Sequence, residues 1–331
     1  MLKIAVLGAG RIGKIHAANI AASPLATLVA IADPYFDNAL QLAKLYGANA
    51  VKDPLELIND REIDAVVIAT PTDTHVDLML AAARNGKAVL CEKPVDMDLD
   101  RARRASEELA TLQVPVMVAF NRRFDPSAQQ IRQAIVRGEV GEVHQVMITS
   151  RDPGFAPVDY LRHSGGIFRD MVIHDFDMAR WLLGEEPVSV YASGSRLLNP
   201  ALAEFNDVDT CMVQMVTASG KQCHINCSRQ AVYGHDQRLE VYGSAGMLLN
   251  DNMRASSVRR FTHQLTEARE PLVNFFLERY ADAYRHEMDA FIQAATGAQP
   301  VPVTAWDGVM ALKLAECAQR SVESGKPVSV D

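Results

Sequence analysis

The sequence predicts an α/β protein in two parts, a doubly wound parallel sheet followed by a domain built around an antiparallel sheet. Three observations carry this. Up to about residue 120, short and nearly continuous apolar runs alternate with helical patterns. After residue 125 the apolar runs become strand-like and follow one another largely without helices. The 331 residues are also enough for two domains, at about 100–200 residues each.

In the first part the apolar runs are Leu2–Leu7, Leu28–Ala32, Ala65–Ala69, Ala88–Leu90 and Val116–Ala119. Continuous rather than alternating runs mark strands buried on both faces, as in a parallel sheet. Helical patterns lie between them, such as Asp73–Asn85 before Gly86, and Asp98–Leu112. Repeated β-α units imply right-handed crossovers. In the second part Glu142–Ile148, Val188–Ala192, Thr210–Val216, Gln222–Ser228 and Arg238–Tyr242 read as strands, joined in antiparallel fashion. A helix is predicted from Gly166 to Leu183, stopped by Gly184. Two more run from Pro271 to about Ala295 and from Thr304 to about Val322, with Pro271 as a first helical residue. Thr304 and Asp307 are spaced as a capping pair. The boundary is a hinge near 120–125, giving domains 1–122 and 123–331.

Hydrophobic residues make up 48% and charged residues 22% of the chain, an ordinary globular balance. A net charge of −8 and a pI near 5.6 repel phosphate backbones and anionic membrane surfaces. No stretch has the roughly 18 unbroken apolar residues of a membrane span, and Ile4–Leu7 is too short for a signal peptide core. The five cysteines form no C-x-x-C pair. Cys223, Ile225 and Cys227 alternate with polar residues as the apolar face of a strand. A reducing, cytoplasmic compartment is expected.

Gly8-Ala9-Gly10-Arg11-Ile12-Gly13 follows a predicted strand and opens a predicted helix. In that context G-x-G-x-x-G lets the backbone approach a pyrophosphate seated at a helix N-terminus. Asp33 ends the second strand, twenty residues past Gly13. A carboxylate there accepts from the ribose hydroxyls of NAD and repels the 2′-phosphate of NADP. Ala69-Thr70-Pro71 also ends a strand, and His75 lies at the start of the next helix. Ligands gather at the carboxyl ends of parallel strands, so this turn should border the dinucleotide.

Glu92-Lys93-Pro94 follows another strand. Proline keeps Lys93 extended, with its cation at the cofactor's edge of the sheet. Asp170 and His174 stand four apart, so on one continuous helix they share a face. Oxidising an alcohol requires a hydride acceptor and a group to take the hydroxyl proton, and histidine suits the second role near neutrality. A lysine ammonium stabilises a developing alkoxide, while an aspartate orients the imidazole or binds substrate. His174, Asp175 and Asp177 diverge on a helix, so no metal site is expected.

Together these segments resemble the Gfo/Idh/MocA oxidoreductase family, and the resemblance covers essentially the whole chain. Phe120–Pro126, Thr149–Pro153, Gly165–Trp181 and Phe275–Tyr280 look like its inositol 2-dehydrogenase branch. The resemblance implies a Rossmann domain and an α/β domain with a large, mostly antiparallel open sheet that builds a dimer or tetramer. It implies a catalytic Lys93, Asp170 and His174, with a cofactor set of Gly8, Gly10, Arg11, Ile12, Gly13, Asp33, Thr70, Pro71, His75 and Glu92. Further substrate contacts are implied from Arg122 and from the Arg151–Asp152 loop. The implied reaction oxidises myo-inositol to 2-keto-myo-inositol with NAD. Where many inositol dehydrogenases carry a second tyrosine after Tyr233-Gly234, this chain has His235, which leaves the preferred stereoisomer open. Alternative readings are an aldose dehydrogenase, an NAD-dependent glycosidase and a non-catalytic NAD-sensing regulator.

Overall fold

The computed structural model describes residues 1–331, which fall into two compact units. The first comprises Met1–Phe124 and Ala283–Leu312, the second Asp125–Asp282 and Lys313–Asp331.

The first unit is a six-stranded sheet: β1 Leu2–Leu7, β2 Ala26–Ala32, β3 Asn49–Val51, β4 Ala65–Ile68, β5 Ala88–Glu92 and β6 Val116–Ala119. The order is β3-β2-β1-β4-β5-β6, with every pairing parallel. All residues of β4 and β6 are buried, as strands covered by helices on both faces must be. Asp53 and Asp98 cap the helices Pro54–Asn59 and Leu99–Thr111, accepting from the backbone N–H of Leu55 and Arg101. Edge strand β3, only three residues long, has too little apolar content to register as a strand by pattern.

The expected contiguous division into 1–122 and 123–331 differs from this grouping in residues 123–124 and 283–312. Val118 N donates to Val303 O at the edge of β6. The Arg123 guanidinium pairs with Asp307 at 2.9 Å, and the His16 ring stands edge-on to Tyr284.

The second unit holds a seven-stranded sheet made of β7 Val143–Arg151, β8 Pro187–Ser195, β9 Thr210–Thr217, β10 Gln222–Ser228, β11 Asp236–Gly243, β12 Met247–Asn250 and, after a two-stranded ribbon (β13 Arg259–Arg260, β14 Ala268–Arg269), β15 Val328–Ser329. Its order is β12-β11-β7-β10-β9-β8-β15. Only β7 and β10 run parallel; the other pairings are antiparallel. One face packs on the helix Ile173–Leu183, where Cys223, Ile225 and Cys227 are buried as the alternation predicts. The opposite face presents Tyr191, Met147, Met212, Tyr242 and Leu249 to solvent. All five cysteines are free and buried.

Two expected helices are corrected. The predicted Gly166–Leu183 helix is two helices, Gly166–Asp170 and Ile173–Leu183. The N–H groups of Met171 and Val172 both turn back onto Ile167 O, the second across five residues rather than four, which closes off the first helix. Pro271 does not open a helix: Leu272 bridges to Arg254, Val273 N donates to Met253 O, and helix begins only at Phe276. The third expectation holds: Thr304 N donates to Asp307 Oδ2 at 2.8 Å and Asp307 N to Thr304 Oγ1 at 3.3 Å, opening the helix Ala305–Ser324.

Glu287, in the helix Ala281–Ala295, is fully buried and neither carboxyl oxygen has a hydrogen-bond partner. Burial, reinforced by the nearby Glu92, pushes its carboxyl well above the ordinary value of 4.5. A raised carboxyl contributes its full stability below the unfolded value and loses it as pH climbs towards the folded value. Glu287→Gln should therefore match the wild type near pH 4. Above pH 4.5 it should gain on the wild type by about 1.4 kcal/mol per pH unit in urea melts, and parallel pH curves would refute this.

Candidate active site

The first strand–helix turn is shaped by backbone meeting backbone. A Cβ on Gly8 would collide with Ala69 O, and one on Gly13 with Gly8 O. The helix Arg11–Ala22 can therefore start directly against the ends of β1 and β4, with Arg11 and Gly10 exposed and Ile12 half-buried. Gly10 differs from the other two, since nothing lies within 4 Å of where its Cβ would stand. The turn is open at that point, and no side chain caps the helix. Its N-terminus, the positive end of the helix dipole, suits an anion such as a dinucleotide pyrophosphate.

Asp33 is nearly buried at the end of β2. Its Oδ2 accepts from Ala9 N at 2.8 Å and its Oδ1 from Tyr35 N at 2.9 Å. The carboxylate is thus locked to the glycine turn, while each oxygen keeps a lone pair for ribose hydroxyls. These residues fit a bound NAD, at the switch point between β1 and β4 where open α/β sheets bind ligands.

The ends of β4 and β5 are tied by His75. Buried at the start of the helix His75–Arg84, it sets Nδ1 2.8 Å from Pro94 O and Nε2 2.9 Å from Thr70 O. Both ring nitrogens are used on backbone carbonyls, so the residue holds two turns in place rather than reaching outward. Thr70 Oγ1 lies 2.6 Å from Thr74 Oγ1, and Pro71 is exposed. Glu92 Oε1 pairs at 2.8 Å with Nε2 of the buried His16. Lys93 follows it, half-buried, with a cis bond to Pro94.

The second unit gathers the remaining groups. Asp170 is the last residue of its short helix, and His174 is the second residue of the next, half-buried, with its Nδ1 in the interior. The turn at Met171–Val172 intervenes, so the pair does not stand on one face of an unbroken helix. Asp170 Oδ1 accepts from Tyr160 Oη at 2.8 Å and Oδ2 from Arg229 Nη1 at 3.1 Å. Burial and the adjacent Asp170 carboxylate raise the Tyr160 phenol, which stays a protonated donor.

Asp152 and His235 are brought together, with Nε2 of His235 3.4 Å from Asp152 Oδ1. His235 is buried, edge-on to Tyr280 and 3.1 Å from Gln237 Nε2. It backs the partly exposed Asp152 carboxylate. Arg151, by contrast, is turned into structure, donating to Tyr233 Oη and Asn226 Oδ1. Arg122 is half-buried in the turn Asn121–Phe124 of the first unit. The pattern reading missed Tyr160, Arg229 and His16. Arg229 and His16 act through partners distant in sequence, 59 residues for Arg229 and Asp170 and 76 for His16 and Glu92; Tyr160 stands ten residues before Asp170, and none of the three lies in a recognisable spacing.

Residues 2–120 match the oxidoreductase family's NAD-binding Rossmann fold, and residues 132–330 match its C-terminal alpha/beta domain. The inositol 2-dehydrogenase of Rhizobium meliloti strain 1021 is 47% identical over 330 residues, covering 99% of each chain. The myo-inositol 2-dehydrogenase of Thermotoga maritima is 42% identical over 331 residues, covering 100% of this chain and 99% of its own. Among solved structures, a myo-inositol dehydrogenase from Corynebacterium glutamicum superposes with a TM-score of 0.96 at 45% identity, covering 100% of this chain and 99% of its own. A scyllo-inositol dehydrogenase from Lactobacillus casei, solved with NAD(H) and scyllo-inositol, gives 0.91 at 29% identity over 100% and 99%. With the glycine turn, the Asp33 lock and both family halves in place along its length, the chain belongs to the Gfo/Idh/MocA oxidoreductase family and is an NAD-dependent oxidoreductase.

Proposed function

We propose that this enzyme oxidises a secondary hydroxyl of inositol, with myo-inositol as substrate and 2-keto-myo-inositol as product. The reading is carried by the end-to-end likeness, at 47% identity, to an enzyme named for inositol oxidation at that position. The chemistry of the side chains supports it. A cyclitol offers several hydroxyls, and Lys93, Arg122, Asp152, Asp170 and His174 supply donors and acceptors for them. Buried polar groups of this kind select strongly, because a substrate lacking a hydroxyl leaves its partner unsatisfied. An acidic substrate would be repelled by Asp152 and Asp170.

The bound nicotinamide supplies the hydride acceptor. Gly8, Gly10, Gly13 and the first turn of the helix Arg11–Ala22 would hold its pyrophosphate, Asp33 would bind its ribose, and Thr70, Pro71 and Glu92 would border them. His174 takes the hydroxyl proton at Nε2, its Nδ1 being the interior nitrogen. The Lys93 ammonium stabilises the alkoxide as that proton leaves. Asp170 accepts a substrate hydroxyl and keeps it aligned. His235 acts on the substrate through Asp152, so its exchange for the family's tyrosine tunes one hydroxyl contact and leaves the proton transfer unaltered. The solvent-facing apolar side of the seven-stranded sheet supports self-association as a dimer or tetramer.

Cofactor choice tests the role of Asp33. Pro34 and Tyr35 provide no cation to offset a 2′-phosphate, so kcat/KM should favour NAD over NADP by at least about a hundredfold, given the several kcal/mol that juxtaposed like charges cost. Asp33→Asn should erase most of that preference, and comparable efficiency with both cofactors in the wild type would refute it. His174→Ala should lower kcat by about 10²–10⁴-fold with NAD affinity unchanged by fluorescence titration; near-normal turnover would show that another group takes the proton. An NADH absorbance assay across inositol isomers and aldoses decides the substrate: faster reduction of NAD with glucose or xylose than with any inositol would overturn the assignment.

A further inference from the structure

The carboxylate of Asp207 is tied to both ends of the short helix that carries Asp170. Its Oδ1 accepts from the backbone N–H of Ile167, in the first turn, at 2.7 Å, and from Val208 N at 2.8 Å. Its Oδ2 accepts from Arg229 Nη2 at 3.0 Å, while Nη1 of the same guanidinium reaches Asp170 Oδ2 at 3.1 Å. The three side chains are 2%, 4% and 12% exposed for Asp207, Arg229 and Asp170. Arg229 is itself anchored just beyond β10, where its backbone N–H donates to Asp209 O at 2.8 Å. Gly166 completes the frame, since a Cβ there would stand 3.1 Å from Asp207 Oδ1.

Asp170 needs such a frame. It is the last residue of a five-residue helix and is followed by a turn, so no continuing helix directs its side chain. The planar guanidinium meets two carboxylates along separate N–H directions, a geometry that a lysine ammonium does not reproduce. The arginine also separates two carboxylates that would otherwise share a water-poor space as like charges.

We propose that Arg229, braced by Asp207, is a positioning residue for the oxidation, acting through Asp170 by fixing the direction in which that carboxylate meets the substrate. This rests on the reading of Asp170 as a catalytic group. A double-mutant cycle on the full-length enzyme with saturating NAD tests it. Arg229→Lys should lower kcat by about ten- to a hundredfold, as a displacement of about 1 Å does, with NAD affinity unchanged. In an Asp170→Asn background the same substitution should change kcat less than about threefold, because its route of action is already gone. Arg229→Lys losing equally in both backgrounds, or leaving kcat unchanged in the wild type, would overturn the proposal. If the lysine variant does not fold by near-UV circular dichroism, Arg229→Gln combined with Asp207→Asn removes the buried charges together and runs the same cycle with the same expected result. The cycle is read on whichever polyol the wild type oxidises fastest. A substrate other than inositol would overturn the preceding assignment and leave this test intact, and additivity would do the reverse.

Discussion

The cofactor unit depends on how closely one helix can approach the end of one strand. Gly8 and Gly13 leave out the two Cβ atoms that would hold the helix Arg11–Ala22 away from β1 and from the turn after β4. With that distance closed, Ala9 N falls within reach of Asp33, and the end of β2 is pinned to the same turn. His75 extends the chain of ties to the ends of β4 and β5. A helix N-terminus, a carboxylate and a lysine thus share one edge of the sheet as a consequence of omitted side chains and a few backbone hydrogen bonds.

The second unit solves a different problem, that of burying charge. Isolated charges taken from water cost several kcal/mol each even after relaxation, and here they are grouped. Arg229 lies between Asp170 and Asp207, Arg279 meets Asp125 at the cap of the helix Pro126–Val136, and Arg180 meets Glu186 and Asp177. Asp236 is held below its ordinary carboxylate value: burial alone would raise it, but Arg238, Asn252 and Tyr233 all donate to it. Replacing such clusters by packed hydrophobics often costs a fold nothing, so their retention is better explained by direction than by stability. Each cluster fixes where a polar side chain points.

The contrast between the units explains what a reader of the chain alone can see. Strands β1, β2, β4, β5 and β6 and the glycine turn are legible because their determinants are local: continuous apolar runs, and glycines at a spacing with one geometric meaning. The strand face of Cys223, Ile225 and Cys227 is legible for the same reason. The break at Met171–Val172 is not, since no glycine or proline marks it and the four-residue spacing of Asp170 and His174 fits a continuous helix equally well. Pro271 misleads because its fixed φ suits an extended segment as readily as a first helical turn. Arg229 is invisible as part of the site, being one arginine after a strand whose partners stand 59 and 22 residues earlier. Local pattern reveals where chemistry-bearing residues lie in the fold, whereas what steadies them comes from pairings across the sheet.

The grouping of Ala283–Leu312 with the nucleotide-binding half has a consequence for the order in which the protein is made. Translation delivers β6 early, but the carbonyl of Val303 that pairs at its edge and the Asp307 that neutralises Arg123 leave the ribosome only after all seven-stranded-sheet strands except β15. The nucleotide-binding half therefore begins folding first and finishes nearly last, holding an incomplete edge throughout synthesis of the second unit. A gene fragment that stops at Phe124, where the first segment of this unit ends, freezes that unfinished stage, with Arg123 unmatched and a strand uncovered, and such exposed surface is what recruits chaperones or aggregates.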